Sequence, residues 1–207
     1  MVGGYFHRTA LHFAVIQDLE DVVAYLLCLP DINLEKEDEF GKTALIYAIS
    51  GCATSVNVQN CRIITMLLDK YRQQRANFNA QQRWWSTCCY RKRGLVDAPE
   101  ISKKHGGKTL LHMAIDGGAV RPGLGLSIYE MLLDFVPALL NEPDDQGQTP
   151  LHYAVKRGNK VEVAFLLGKG ADPTHADEKG RSPADYARKR RHLDIANLLD
   201  EYRANIF

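Results

Sequence analysis

Apolar residues recur along this chain every three or four positions, and the stretches with this spacing come in pairs separated by short polar turns. Such spacing predicts amphipathic helices that each bury one face. In the clearest pair, Thr149 and Pro150 are typical of a helix start and Gly158 of its end, and Gly170 ends the second helix. The predicted buried face of that second helix consists of Val161, Ala164, Phe165, Leu166 and Leu167.

The first helix of each pair begins with nearly the same six-residue motif. It reads TPLHYA at 149–154, TLLHMA at 109–114 and TALHFA at 9–14, and looser forms begin at 43 and 182. The steps from 9 to 43 and from 149 to 182 are 34 and 33 residues. A period near 33 is typical of helical repeats that stack into one continuous core. We therefore expect five repeats and an all-α fold.

The motif and its surroundings resemble the ankyrin repeat. In the fourth repeat, Asp144 to Gly147 supply a predicted tight turn just before the motif. The resemblance covers most of the chain and implies an all-α ankyrin solenoid of five helix–turn–helix repeats, forming a single domain over residues 1–207. The uneven loops are similar to those of ankyrin effectors of intracellular bacteria. The expected repeats span 4–36, 37–72, 105–141, 142–174 and 175–207.

A long insert interrupts the array between repeats two and three, at 73–104. Residues 71–108 contain nine Lys or Arg against two acids, so this segment is +7 and, with a total of +1, the rest of the chain is −6. A skipped, decayed repeat is the alternative to an insert, but no copy of the motif lies there. Repeats two and three also carry extra residues between their helices, near 51–60 and 117–126, and the latter stretch is too rich in Gly and Pro to be helical.

The insert carries both tryptophans, Trp84 and Trp85, next to a basic run. Aromatic and arginine side chains dominate the energetics of protein interfaces, so the insert is a candidate anchor for a partner protein. The same residues could hold an anionic lipid headgroup or RNA. A third reading has the tryptophans folded back on the repeats and the basic residues simply solvated.

The resemblance also implies where a partner binds. Partners of ankyrin proteins contact the hairpin tips and the inner surface of the first helices. The repeat positions that carry this expectation are Tyr5, Phe6, Arg8, Glu39, Phe40, Lys42, Lys108, Asp145, Gln148, Lys156, Arg157, Lys179, Arg181, Lys189 and Arg190. From the insert we add Trp84, Trp85, Arg91, Lys92 and Arg93.

Catalysis is not expected. The motif histidines His12, His112 and His152 could suggest a reaction, but in the fold that the chain resembles such a histidine hydrogen-bonds across the repeat turn. The sequence has no phosphate-binding loop, paired catalytic carboxylates or supported Cys–His pair, so we predict no enzyme activity and no cofactor. A zinc site built from Cys88 and Cys89 with Cys52, Cys61 and His105 matches no standard ligand spacing, so we predict no metal.

The expected partner is a protein of unknown identity, bound by a monomer, and nucleic acid is not expected. The alternatives are a targeting domain of a larger enzyme, or a binder of anionic lipid or RNA through the insert. There is no apolar run of about 18 residues and no signal core, and the odd set of five cysteines favours reduced thiols. We therefore expect the cytoplasm, meaning the host cytosol for a secreted effector. The basic run 188–191 leaves nuclear import open beside a solvated helix face.

One modification is also implied by the resemblance. Asn33 lies where ankyrin proteins can be hydroxylated by an asparaginyl hydroxylase. An unmodified mass for the peptide carrying Asn33, taken from cells that contain this enzyme, would reject the modification.

Overall fold

The computed structural model describes residues 7–52, 62–74, 104–117 and 124–206. Within these ranges the backbone forms helices and turns, and a lone β-bridge joins His105 to Lys108. The predicted all-α repeat fold is confirmed. The helices are α1 Ala10–Ile16, α2 Glu20–Cys28, α3 Ala44–Cys52, α4 over 62–74, α5 Leu110–Asp116, α6 Leu124–Phe135, a 3₁₀ helix Pro137–Leu140, α7 Pro150–Arg157, α8 Lys160–Gly168, α9 Pro183–Lys189 and α10 Leu193–Ile206.

These helices form two compact units. The first unit contains α1 to α4, with α1 packed on α2. The second contains α5 to α10, in which α5 packs on α6, α7 on α8 and α9 on α10. The first helices of successive repeats in this unit also pack on one another, α5 on α7 and α7 on α9. The domain boundaries predicted above stay a prediction, and most of the expected insert lies outside the described residues.

The first helices start where the motif places a hydroxyl. Thr9, Thr109, Thr149 and Ser182 each form a capping box with the residue three positions later. That partner is a histidine in three of the four boxes, and its Nδ1 accepts a hydrogen bond from the backbone N–H of the capping residue. The box satisfies two backbone donors that a helix start otherwise leaves unpaired.

An aspartate closes the hairpin before the motif in repeats two, four and five, through Asp38, Asp144 and Asp177. In repeat four, Asp144 Oδ1 accepts hydrogen bonds from the backbone N–H groups of Gln146 at 2.9 Å and Gln148 at 2.7 Å. Gly147 has a φ of 74° there, and a Cβ on it would lie 2.8 Å from the backbone nitrogen of Glu178. Only glycine fits both demands. Neighbouring hairpins of the second unit are thereby held together, and Glu178 N donates to Gln146 O at 3.1 Å.

The second helices differ from the sequence expectation in two places. The buried side chains of α8 are Glu162, Val163, Leu166 and Leu167, whereas Val161 is 51% exposed and Ala164 is also exposed. The predicted buried face was therefore wrong at Val161 and Ala164. Because Glu162 has a valine on each side, the apolar pattern does not determine which face of α8 is buried. The contact of α8 with α6 determines that face. The stretch expected to be non-helical ends early, because α6 begins at Leu124, two residues after the single proline of that stretch, Pro122.

Candidate functional site

The second unit gathers aromatic and basic side chains on the first helices α7 and α9 and on the hairpins before α5 and α9. We call the set Lys108, Tyr153, Lys156, Arg181 and Tyr186 the aromatic–cation cluster. Tyr153 and Tyr186 sit on the turn of helix that follows the capping residue. Each hydroxyl donates to the aspartate nine residues earlier, Tyr153 to Asp144 Oδ2 and Tyr186 to Asp177 Oδ2, both at 2.8 Å. The hairpin aspartate thus closes the turn and also fixes the ring.

The basic side chains of the cluster lie over these two rings. Lys156 Nζ is 4.9 Å from the ring centroids of both Tyr153 and Tyr186. Lys108 Nζ lies 5.1 Å from Tyr153, and Arg181 Cζ lies 4.7 Å from Tyr186. All four distances are within the range at which a cation is attracted to an aromatic face. Lys156 therefore links two consecutive repeats.

The two aspartates beneath the rings stay ionised. Burial raises the pKa of Asp144, but hydrogen bonds from Gln148 N–H, the Tyr153 hydroxyl and Gln146 N–H outweigh it, so the pKa is lowered overall. At Asp177 burial likewise raises the pKa, and the bonds from Arg181 and the Tyr186 hydroxyl lower it well below its ordinary value. The tyrosines respond in the opposite direction, because burial and the aspartate raise the pKa of Tyr186 to about 12. The hydroxyls therefore remain donors at neutral pH.

Lys156 forms no ion pair with any carboxylate of the residues that the structure describes. Its ammonium donates to Gln148 Oε1. Burial lowers its pKa, Asp144 raises it, and the positive charges of Arg190 and Arg181 lower it again. The other two cations of the cluster do have carboxylate partners. Lys108 pairs with Asp116 at 2.6 Å, and Arg181 pairs with Asp177 at 2.7 Å.

The first unit contains a smaller set of the same kind. Tyr47 OH donates to Asp38 Oδ2 at 2.6 Å and accepts from Arg8 Nη2 at 3.0 Å. Arg8 Nε also donates to Asp38 Oδ2 at 3.3 Å, and Arg8 Cζ lies 6.0 Å from the Phe40 ring. Lys42 Nζ lies 5.4 Å from the Tyr47 ring. The cation nearest the Tyr47 ring is Arg8, whose Cζ lies 5.1 Å from it, and Arg8 is paired with the hairpin aspartate Asp38.

The motif histidines hold successive hairpins, as predicted. Nε2 of His12, His112 and His152 lies 3.0, 2.8 and 3.2 Å from the backbone oxygens of Lys42, Gln148 and Arg181. Since Nδ1 accepts a backbone N–H in each case, each ring is neutral with its proton on Nε2. A buried imidazole with both nitrogens occupied has no free position for acid–base chemistry.

Burial lowers the pKa of His112 from 6.5 to about 4, against the opposing effect of the Gln148 carbonyl. Unfolding releases the ring to its ordinary pKa, so between pH 6.5 and 4 the unfolded state binds the extra proton. His112 therefore contributes a loss of stability as the pH falls through this window, reaching about 3 kcal/mol at pH 4. We expect the ring ¹⁵N signals of His112 to keep the neutral, Nε2-protonated pattern down to pH 5. A titration midpoint near 6.5 in the folded protein would contradict this.

The other predicted contact residues are distributed over the surface. Glu39, Asp145, Arg157, Lys179, Lys189 and Arg190 are exposed, as is Phe40 at 59%. Gln148 is only 3% exposed and lies under Lys156, so it presents almost no surface of its own. Asn33 is exposed, and its Oδ1 accepts the Glu35 N–H at 2.9 Å. The predicted Tyr5, Phe6, Trp84, Trp85, Arg91, Lys92 and Arg93 lie outside the described residues.

Three tyrosines that carry these contacts were not among the predicted contact residues. Tyr47, Tyr153 and Tyr186 occupy the same motif position, four residues after the capping residue, with an aspartate nine residues before each of them. That repeated Asp–Tyr spacing was the available signal. Repeat three lacks it, because Lys104 and Met113 stand at the two positions.

No group of three or more His, Cys, Asp or Glu side chains in the described ranges could hold a metal ion. Of the cysteines named above for zinc, Cys61, Cys88 and Cys89 lie outside those ranges, and at Cys52 the structure describes the backbone alone. Among the described helices, none has the length and apolar character needed to span a bilayer.

Stacked helix pairs joined by hairpins, with histidines bridging the repeats, define a helical repeat protein. Family models for ankyrin repeats match residues 6–37 as a single repeat and 119–207 as three copies. Together the matches cover more than half of the sequence, and the chain belongs to the ankyrin-repeat family. This family consists of protein–protein interaction modules.

Curated relatives share only part of their length with this chain. The human ARF GTPase-activating protein GIT1 is 44% identical over 57 residues, which are 28% of this chain and 8% of that protein. A putative ankyrin repeat protein, L271 of Acanthamoeba polyphaga mimivirus, is 30% identical over 112 residues, 48% of this chain and 15% of the relative. A Caenorhabditis elegans homologue of transient receptor potential cation channel subfamily A member 1 is 32% identical over 100 residues, 47% of this chain and 8% of the relative.

Proposed function

We propose that this chain binds a partner protein, without catalysing a reaction, through the aromatic–cation cluster of the second unit and the hairpin tips beside it. The observation that carries the proposal is the pair of tyrosine rings fixed by Asp144 and Asp177 with three basic side chains against them. Tyr153 and Tyr186 are only 9% and 7% exposed, so the rings position the basic side chains and the cationic groups provide the contact surface. Arg is enriched among the residues that dominate interface energies.

The mechanism is docking onto a preformed surface. Each ring orientation is set by a buried hydrogen bond, and Lys156 is held by Gln148 and both rings. Ordering rotamer-rich side chains costs about 0.5–1.5 kcal/mol each on binding, and here much of that cost is met in the free protein. A rigid surface of this kind changes little when the partner arrives.

The basic insert is a proposed second anchor, through Trp84 and Trp85 with Arg91, Lys92 and Arg93. The insert can also be proposed to contact an anionic membrane surface or RNA, in which case binding would fall steeply with salt. A bacterial effector acting on a host protein in the cytosol, as a monomer, is the biological setting we propose for the main function.

A second candidate function is targeting within a larger enzyme. The similarity to GIT1 favours it, because the matched 57 residues are 8% of a protein named as a GTPase-activating protein. The ankyrin segment is thus a small part of a longer chain there. A continuous reading frame that joins this chain to a catalytic domain would support the second candidate.

Photo-crosslinking from lysate tests the main proposal. A photoreactive phenylalanine analogue replaces Arg157, which is exposed and donates to the Asp116 backbone oxygen at 2.6 Å beside the cluster. The control places it at Ala164, which is exposed on α8. We expect a protein crosslinked from position 157 and not from 164. Capture from 164 alone, or only from a third bait labelled at Trp85, would reject the cluster as the contact surface.

A further inference from the structure

Lys156 is a basic group set among neighbours that are already neutralised. Asp116 is held by Lys108 at 2.6 Å, and the buried carboxylate of Asp177 is held by Arg181 at 2.7 Å. Asp144 accepts two backbone N–H groups and the Tyr153 hydroxyl. The carboxylates around Lys156 are therefore occupied by other donors.

The charges that face Lys156 come from several elements. Arg181 and Arg190, from the hairpin before α9 and from its end, lower its pKa, and Asp144 and Asp116 raise it. Arg190 forms no ion pair within the described part of the chain, so positive charge is in excess at this point. A half-buried ammonium in such a place attracts an anion more strongly than a fully hydrated one, because screening is weaker.

The surroundings favour separate carboxylates over a continuous phosphate chain. Asp145 and Glu178 are exposed on the hairpins of the same unit, where they would repel a polyphosphate running along the surface. Isolated carboxylate side chains can be spaced to avoid them. The two tyrosine rings also leave Lys156 little freedom to move, which suits a single directed contact.

We propose that the aromatic–cation cluster binds an acidic segment of a partner protein, with a partner carboxylate paired to Lys156. The inference rests on the proposed function and specifies the chemistry of its partner. Lys108 and Arg181 flank this contact, Lys108 against the Tyr153 ring and Arg181 against the Tyr186 ring. Each of these two side chains stays paired with its own aspartate and adds long-range electrostatic attraction for the acidic segment.

The test uses a fluorescein-labelled ten-residue peptide of alternating Glu and Gly, with a Gln/Gly peptide as the neutral comparison. Binding is measured by fluorescence anisotropy with the whole chain and with Lys156→Met, Lys156→Arg and Lys160→Met. Lys160 is exposed on α8 and gives a matched loss of one charge. We expect Lys156→Met to weaken binding of the Glu peptide about tenfold, because a loss of affinity of this size corresponds to the removal of one charge-pair contact of ordinary strength. Lys156→Arg and Lys160→Met should stay within about twofold.

Three results would overturn the inference. They are equal affinity of Lys156→Met and Lys160→Met, equal binding of the Glu and Gln peptides, and no Glu-peptide binding at about 1 mM. Stronger binding of a ten-nucleotide RNA that is equally sensitive to Lys156→Met would assign the surface to nucleic acid instead. Capture of a protein from position 157 that Lys156→Met leaves unchanged would keep the proposed function and reject only the acidic partner.

Discussion

Replacing His112 with alanine is expected to lower the free energy of unfolding by about 3 kcal/mol at pH 7. The ring is fully buried, with Nδ1 accepting the Thr109 N–H at 3.3 Å and Nε2 donating to the Gln148 oxygen at 2.8 Å. Alanine leaves a cavity, and the buried Thr109 N–H and Gln148 backbone oxygen both lose the hydrogen bond that His112 forms with them. The loss is large because the same ring caps α5 and joins two repeats.

Urea unfolding followed by far-UV circular dichroism gives the measurement. The matched control is His175→Ala, a partly exposed histidine whose ring lies 6.3 Å from that of His152. Its free energy of unfolding should change by about 0.5 kcal/mol or less. Equal effects at the two positions would show that the bridge between repeats is not what His112 contributes.

Replacing Tyr129 with phenylalanine is expected to cost about 3 kcal/mol at pH 7, although only one oxygen is removed. The Tyr129 hydroxyl donates to Glu162 Oε1 at 3.0 Å, and Glu162 is 4% exposed, with Oε2 forming no hydrogen bond within the described part of the chain. Without the hydroxyl the buried carboxylate loses the hydrogen bond that Tyr129 donates to it. Adding Glu162→Ile should return the stability at least to that of the original chain, because both polar partners are then gone.

The pH dependence adds a second readout. Burial raises the pKa of Glu162, and the Tyr129 hydroxyl and the charge of Arg157 lower it less than burial raises it. A raised folded-state pKa means that the penalty is complete above that pKa and disappears as the pH falls through it. The cost of Tyr129→Phe should therefore be smaller in acid than at pH 7. Tyr25→Phe, at a position 70% exposed, is the control and should be neutral at both pH values.

Glu162 also shows that the residue type and burial at one position of a repeat do not predict those at the same position of another repeat. The corresponding position is Ile195 in repeat five, which is 1% exposed, and Val22 in repeat one, which is 44% exposed. A carboxylate is therefore not needed for the fold at this position. The repeats share a backbone plan, and individual side chains at their junctions vary in chemistry.

Much of this protein was determined by its sequence alone. The capping residue Thr149, the proline after it and the glycine of the preceding turn act within three or four positions of the chain, so local rules predict the helix starts and hairpins. The spacing of the motif then gives the repeat fold. The bridges made by His12, His112 and His152 followed from that resemblance, and the structure has all three.

The functional surface needed the tertiary structure. Lys156 contacts Tyr186 of the next repeat, and Gln148 lies beneath it because the stacking of repeats covers that side chain. The face that α8 buries was likewise decided by its contact with α6, which turned Glu162 inward and Val161 outward. Local sequence fixes where a helix begins and ends. Which side chains meet across repeats depends on how the helices pack, and that packing is a property of the whole array.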